Sequence, residues 1–210
     1  MSATVGIDVG GIRKGFHLVA LEESVVTGVL STPAPEEVLA WCLAQGAVSV
    51  AIDCPCRWRP ESGNRLAERE LYKRGISCYW TPSRKAALEH PKNFYGWIQN
   101  GMTLYEAIAP SFALLSSSAA IDTPHCFETF PYAVSRQLSG MERDKEMQRR
   151  SILTRFGIGQ SELVSIDFVD AALCALTAQL MLRGQTLALG DEDGGWIVIP
   201  ESDTNPVSSS

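Results

Sequence analysis

Several absences narrow the reading before any motif is considered. No apolar run in the 210 residues is long enough to span a bilayer. The opening MSATVGIDVG enters an apolar alternation at once, with no basic segment and apolar signal region ahead of it. The expectation is a soluble cytoplasmic protein with no membrane partner. Histidine is scarce, occurring only as His17, His90 and His125, and no C-x-x-C or H-x-x-x-H spacing exists, which argues against structural zinc even at Cys54-Pro-Cys56. The six cysteines (Cys42, Cys54, Cys56, Cys78, Cys126, Cys174) are expected as reduced thiols, because disulfides belong to exported chains. A basic balance is also missing. The net charge of −6 argues against a protein that coats nucleic acid non-specifically, since phosphate binding rests on cationic side chains. No internal repeat is found.

What is present begins with VGIDVGG, residues 5 to 11. Val5, Ile7 and Val9 alternate with Gly6, Asp8 and Gly10, so a strand here buries one face and shows Asp8 on the other, with glycines leaving room beside it. The same pattern suits an Asp opening a Gly-rich turn, and the stretch alone does not separate the two. GFHLVAL (15 to 21) and VVTGVL (25 to 30) read as two further strands of a meander, and EEVLAWCLAQ (36 to 45) as a helix with acids in its first turn. VSVAIDCP (48 to 55) is then a strand parallel to the first, reached by a right-handed crossover, and it carries Asp53 in the phase that Asp8 has. Like charges on neighbouring strands repel unless they share a proton or a cation.

SIDFVDAALCALTAQLML (165 to 182) is strongly helical. Asp167 and Asp170 lie three apart on one face near its start, which is also ordinary first-turn chemistry. Ala171, Ala172, Ala175 and Ala178 make this helix slim enough to approach a sheet closely.

Between residues 57 and 92, nine Lys or Arg face four Glu, and Trp58, Tyr72, Tyr79 and Trp80 lie among them. Such a segment is either a solvated helix face or a surface that contacts phosphates and bases; Arg57, Arg59, Arg65, Arg69, Arg84 and Lys85 are its candidate substrate-binding residues. The run Phe94, Trp97, Ile98, Met102, Leu104, Tyr105, Ile108 has core-like helical spacing. ERDKEMQRRSILTRFG (142 to 157) reads as a solvated, charge-laced helix whose Arg149, Arg150 and Arg155 extend any phosphate-binding surface. Residues 186 to 200 read as a hairpin, 201 to 210 as a flexible tail, and Ile121-Asp122 as a turn.

An Asp in the first strand, an acid in the fourth and D-x-x-D-A opening a late helix resemble the RNase H fold of the bacterial Holliday-junction resolvases. More closely, the chain resembles the predicted RNase H-like nucleases called domain of unknown function 429, through VGIDVG, VAIDCP, RLAERELYKRG followed by WTPSR, CFETFP, DFVDAALCALTA and GWIVIP. The resemblance implies an α/β fold: a mixed five-stranded central sheet flanked by helices, as one domain over 1 to 200 with a helical insertion at 57 to 122 and a C-terminal hairpin. It implies nuclease chemistry at Asp8, Asp53, Asp167 and Asp170, which would hold Mg²⁺ or Mn²⁺, with Glu128 of the E-x-x-P segment as an added ligand or supporting group. Nucleic acid, DNA or RNA, is the implied partner. Resolvases commonly carry glutamate where this chain has the shorter Asp53. Two rivals stand beside this reading. A non-catalytic module would keep the fold and bind nucleic acid or protein through residues 57 to 92. A sugar-kinase or actin-type ATPase would share GIDVGG, but needs a second lobe and a second Gly-rich phosphate loop, which do not follow.

Overall fold

The computed structural model describes residues 3–116, 124–139, 144–202 and 204; the Ile121-Asp122 turn and most of the 201 to 210 tail lie outside the described residues. Strand β1 (Ala3–Val9) is followed by β2 (Phe16–Glu22) and β3 (Val25–Thr32), helix α1 (Pro35–Ala44), β4 (Ala47–Asp53), and helices α2 (Leu66–Lys73), α3 (Arg84–Leu88) and α4 (Gly96–Ile108). Then come β5 (Ala113–Leu114), β6 (His125–Glu128), α5 (Pro131–Ser139), α6 (Lys145–Arg155), α7 (Ile166–Leu182), β7 (Thr186–Asp191) and β8 (Gly195–Pro200).

One mixed sheet runs in the order β3-β2-β1-β4-β6-β8-β7, with β5 attached beside β6. The meander is antiparallel, β1, β4, β6 and β8 are parallel to one another, and β7 closes antiparallel on β8. The β3-β2-β1-β4-β6 portion has the mixed order of the expected five-stranded sheet, and the whole sheet has eight strands where five were expected. The difference lies mainly in the C-terminal hairpin: β8 pairs with β6 through Glu128 and Ile197 and so extends the sheet instead of packing apart from it.

Alternation along β1 sorts the two faces. Val5, Ile7 and Val9 enter a core with Val38 and Cys42 of α1 and Leu104, Tyr105 and Ile108 of α4. The insertion therefore does more than decorate the domain, because α4 supplies one wall of the central core. It also pins the ends of the two acid-bearing strands: Asn100 Nδ2 donates to the Gly10 carbonyl at 3.0 Å and Tyr105 Oη to the Cys54 carbonyl at 3.1 Å.

The opposite face of β1 belongs to α7, which crosses β1, β2 and β4. Leu173, Leu176 and Leu180 fill this layer together with Val19 and Leu21 of β2 and Ile152 and Leu153 of α6. Contact with β1 itself is backbone to backbone. A Cβ at Gly6 would lie 1.9 Å from the Ala171 carbonyl oxygen and 2.2 Å from the Ala175 nitrogen, and Thr4 Oγ1 donates to the Ala175 carbonyl at 3.3 Å. Glycine in the strand and alanine in the helix permit this approach together.

Gly6→Ala is expected to force α7 off the sheet. Because the obstructing atoms are backbone, overpacking of this kind costs about 3 kcal/mol or more. Urea unfolding at neutral pH reads the loss, and an unchanged midpoint would show that the helix is not seated on Gly6.

Candidate functional site

In parallel β1 and β4 the register sets Asp8 beside Asp53, and neighbours in register project to the same face of a sheet. That face is the one covered by α7, whose first turn is capped by Ser165 accepting from the Phe168 amide at 3.5 Å. The cap orients the start of the helix so that Asp167 and Asp170 lie over the strand ends. In the antiparallel pair of β1 and β2, the residue opposite Asp8 is His17.

These placements produce one compact donor set. Asp8, His17 and Asp167 each offer a ligand atom, and those atoms all lie within 4.8 Å of one another; among the described residues no other group of three or more His, Cys, Asp or Glu does so. His17 Nδ1 is 4.0 Å from Asp8 Oδ2, and Nε2 is 3.9 Å from Asp167 Oδ2. Nδ1 is buried and has no hydrogen-bond partner among the described residues, while the ring rests edge-on against Phe168 at 5.2 Å. An imidazole set between two carboxylates, with its buried Nδ1 left without a partner among the described residues, is a donor set that a divalent cation fits.

Asp53 and Asp170 flank this set. Asp170 forms an ion pair with Arg149 of α6 and lies 3.8 Å from Lys145 Nζ. Asp167 accepts from Lys14 Nζ at 2.7 Å. The acids are thus held near three cations. Burial pushes the Asp8 carboxyl up to about 7, reinforced by Asp170 and Asp167 and opposed by Lys14 and Arg149. Burial likewise raises Asp53 well above the carboxylate range, with Asp8 and then Asp170 adding to it. Asp170 is raised by burial despite Arg149 and Lys145. His17 moves the other way: burial lowers it, with Asp167 opposing and Lys14 assisting, which favours the neutral imidazole a metal requires.

Glu128 has a different role from the one expected. It is buried, with Arg65 Nη1 donating to Oε1 at 2.9 Å, Arg65 Nη2 to Oε2 at 2.5 Å and the Cys56 amide to Oε2 at 2.8 Å. Both oxygens are committed to structure rather than to the acidic set. Arg65 departs from its expectation in the same way. Its side chain is fully buried and also donates Nε–H to the Gly194 carbonyl at 2.6 Å, so it is not part of an exposed phosphate-contacting surface. Burial works against its charge, and Glu128 more than offsets that. Arg149 is similarly buried against Asp170. Arg57, Arg59, Arg69, Arg84 and Lys85 are exposed, and Arg57 and Arg84 line one shallow depression with Trp58. All six cysteines are free thiols. Among the described residues no helix is long and apolar enough to cross a membrane.

His17 is the site residue that sequence reasoning missed. The signal was in the hairpin, since a tight connection between β1 and β2 puts position 17 opposite position 8. Glu128→Ala is expected to strand the Arg65 guanidinium without its partner and to cost about 3–5 kcal/mol of stability. Chemical denaturation checks this, and a loss under about 1 kcal/mol would mean that water or another acid replaces Glu128.

A search of the curated proteins finds no match. Among solved structures, the chain is similar to T. thermophilus RuvC in complex with a Holliday junction substrate, at 14% sequence identity and a TM-score of 0.49, covering 88% of this chain and 96% of that one. The family described as "Protein of unknown function (DUF429)" is matched over residues 6–194, nearly the whole chain, and the protein belongs to that family.

Proposed function

We propose that the protein is a metal-dependent nuclease that hydrolyses phosphodiester bonds in nucleic acid. The observation that carries this reading is the compact set of Asp8 from β1, His17 from β2 and Asp167 from α7, with Asp53 in register beside Asp8 and a buried imidazole nitrogen that has no partner among the described residues. Four carboxylates at one end of an RNase H-like sheet are costly when the site holds only protons, and a divalent cation removes that cost.

Asp8, His17 and Asp167 would hold the first ion, and Asp53 and Asp170 would complete a second position beside Asp8. Their mainly oxygen donors suit Mg²⁺ or Mn²⁺, and the imidazole favours Mn²⁺ of the two. Bound there, such ions supply Lewis-acid activation of water and charge neutralisation at the phosphodiester. The chain's own part is to fix the carboxylates. Lys14 orients Asp167, Arg149 orients Asp170, and α7 shields Asp8 from bulk water. Exposed Arg57 and Arg84 beside Trp58 would hold the strand away from the acids. The same three cations at the acids favour a second reading, a non-catalytic binding module, in which ion pairs replace the metals.

Two measurements decide between them. A panel of labelled DNA and RNA substrates, single-stranded and branched, incubated with Mg²⁺ or Mn²⁺, should show cleavage that Asp8→Asn abolishes. Cleavage surviving in that variant would assign the activity to a contaminant. The second measurement uses stability. A carboxyl raised in the folded state contributes stability that is complete below its unfolded value near 3.8 and is lost as pH rises through about 7. Without metal, Asp8→Asn should therefore melt above the native protein at pH 8, by up to about 4 kcal/mol of stability, and match it below about pH 4. Mn²⁺ should raise the native melting temperature more at pH 8 than at pH 6, because protons compete for Asp8, and should do nothing for Asp8→Asn. A protein indifferent to Mn²⁺ at both pH values is the non-catalytic module.

A further inference from the structure

The proposed chemistry leaves unused a tract of rings along and beside the helical insertion. Tyr72 is 69% exposed, Tyr79 84% and Trp80 42%, although side chains of this size are ordinarily drawn into a core. They do not stand singly. The Tyr72 and Trp80 rings lie 6.5 Å apart, and Phe130 and Tyr132 form a second pair at 5.8 Å. Tyr79 lines one shallow depression with Phe130 and Tyr132, and another that Asp53 also lines, so the rings run from beside the acidic set out over the surface.

The same surface is basic in a chain that is acidic as a whole. Residues 71–88 contain no Asp or Glu and four cations, Lys73, Arg74, Arg84 and Lys85, all of them exposed. On α2, Ala67, Glu68 and Leu71 are buried, while Arg69, Tyr72 and Lys73, three and four residues apart, share the exposed face. Two cations therefore lie on the face that carries one ring of the Tyr72–Trp80 pair. The intervening Glu70 accepts from the Gly190 amide at 2.9 Å, on the side of α2 that packs against β7.

Exposed rings set among cations ask for a polyanion that also carries free, flat π-faces. A nucleic-acid duplex offers the charge, but its bases are stacked inside it and only a terminal pair shows a face. An acidic peptide offers the charge without the faces. We propose that this tract binds single-stranded nucleic acid, with Tyr72, Tyr79 and Trp80 stacking on unpaired bases and Arg69, Lys73 and Arg74 holding the phosphates between them. The proposal rests on the nuclease reading for its choice of nucleic acid. It adds the form of the substrate, an unpaired segment laid across the rings with the acidic set beside one end of the tract. Every base has a π-face, so strands are held here without regard to sequence.

The test uses the full chain in EDTA, so that no metal contributes, and follows the anisotropy of a fluorescein-labelled oligonucleotide, alone and annealed to its complement. A length of about 20 nucleotides covers a surface of this kind. The single strand should bind about tenfold more tightly than the duplex. Tyr72→Ala and Tyr79→Ala each remove an exposed ring and should weaken the single strand about tenfold through lost stacking, while leaving the duplex unchanged. Tyr79→Phe keeps the ring and should bind as the native chain does. Lys73→Ala should instead flatten the salt dependence, lowering the slope of log K against log salt by about 0.7, the share of one phosphate contact with a single strand. Failure to bind the single strand, equal or tighter binding of the duplex, or ring variants that bind like the native chain overturn the proposal. Poly-glutamate displacing the strand as well as unlabelled strand does would assign the surface to an acidic protein partner and overturn it too. Mn²⁺ titration and cleavage are read separately. Cleavage abolished by Asp8→Asn but indifferent to strandedness leaves the nuclease reading standing and removes the ring tract; single-strand binding without Mn²⁺ binding does the reverse.

Discussion

The bare backbone contact between Gly6 of β1 and the Ala171–Ala175 stretch of α7 sets the geometry of everything around it. With no side chain between them, helix and strand lie close enough for the first turn of α7 to reach the end of β1. Asp167 and Asp170 come over Asp8 because of that closeness. A larger residue at either partner would lift the helix and spread the acids. The clustering of charge at this end of the sheet is therefore a consequence of the smallest side chains in the chain, not of the acids themselves, which repel.

Two solutions to buried charge lie close together at the carboxyl ends of β1, β4 and β6. Glu128 and Arg65 answer one another fully, with every carboxylate oxygen matched and the guanidinium also tied to Gly194. The pair joins α2, β6 and the β7–β8 turn, and its role is to hold them. Around Asp8 the matching is incomplete. Lys14, Lys145 and Arg149 pair with Asp167 and Asp170, and among the described residues Asp8 and Asp53 have no cation of their own and His17 Nδ1 has no partner. A saturated network fixes structure, whereas an unsaturated one leaves work for a ligand.

Much of this was legible in the residues because it follows from period. The alternation of Val5, Ile7 and Val9 defined the inward face of β1, and the shared phase of Asp8 and Asp53 needed only a parallel crossover to become adjacency. The alanines of α7 announced a close approach. What failed was whatever depended on partners distant in the chain. A local tally of charge cannot see Glu128, 63 residues on, which takes Arg65 out of its basic neighbourhood and into the interior. Metal-ligand spacing along the chain is blind to His17, whose meaning lies across a hairpin, opposite Asp8. The eight strands exceeded the expected five because hydropathy marks a hairpin without saying which edge it joins.

The position of α7 along the chain has a bearing on how the protein is made. The meander β1–β3 leaves the ribosome well ahead of α7 and pairs locally, yet the layer that covers Gly6, Val19 and Leu21 is not synthesised until residues 166–182. Until α7 arrives one side of the sheet has nothing from it to pack against, and contacts between partners some 165 residues apart are slow to close. The nascent chain thus passes through a stage with a half-dressed sheet, when vulnerability to misassembly is greatest, and the arrival of a single late helix ends it.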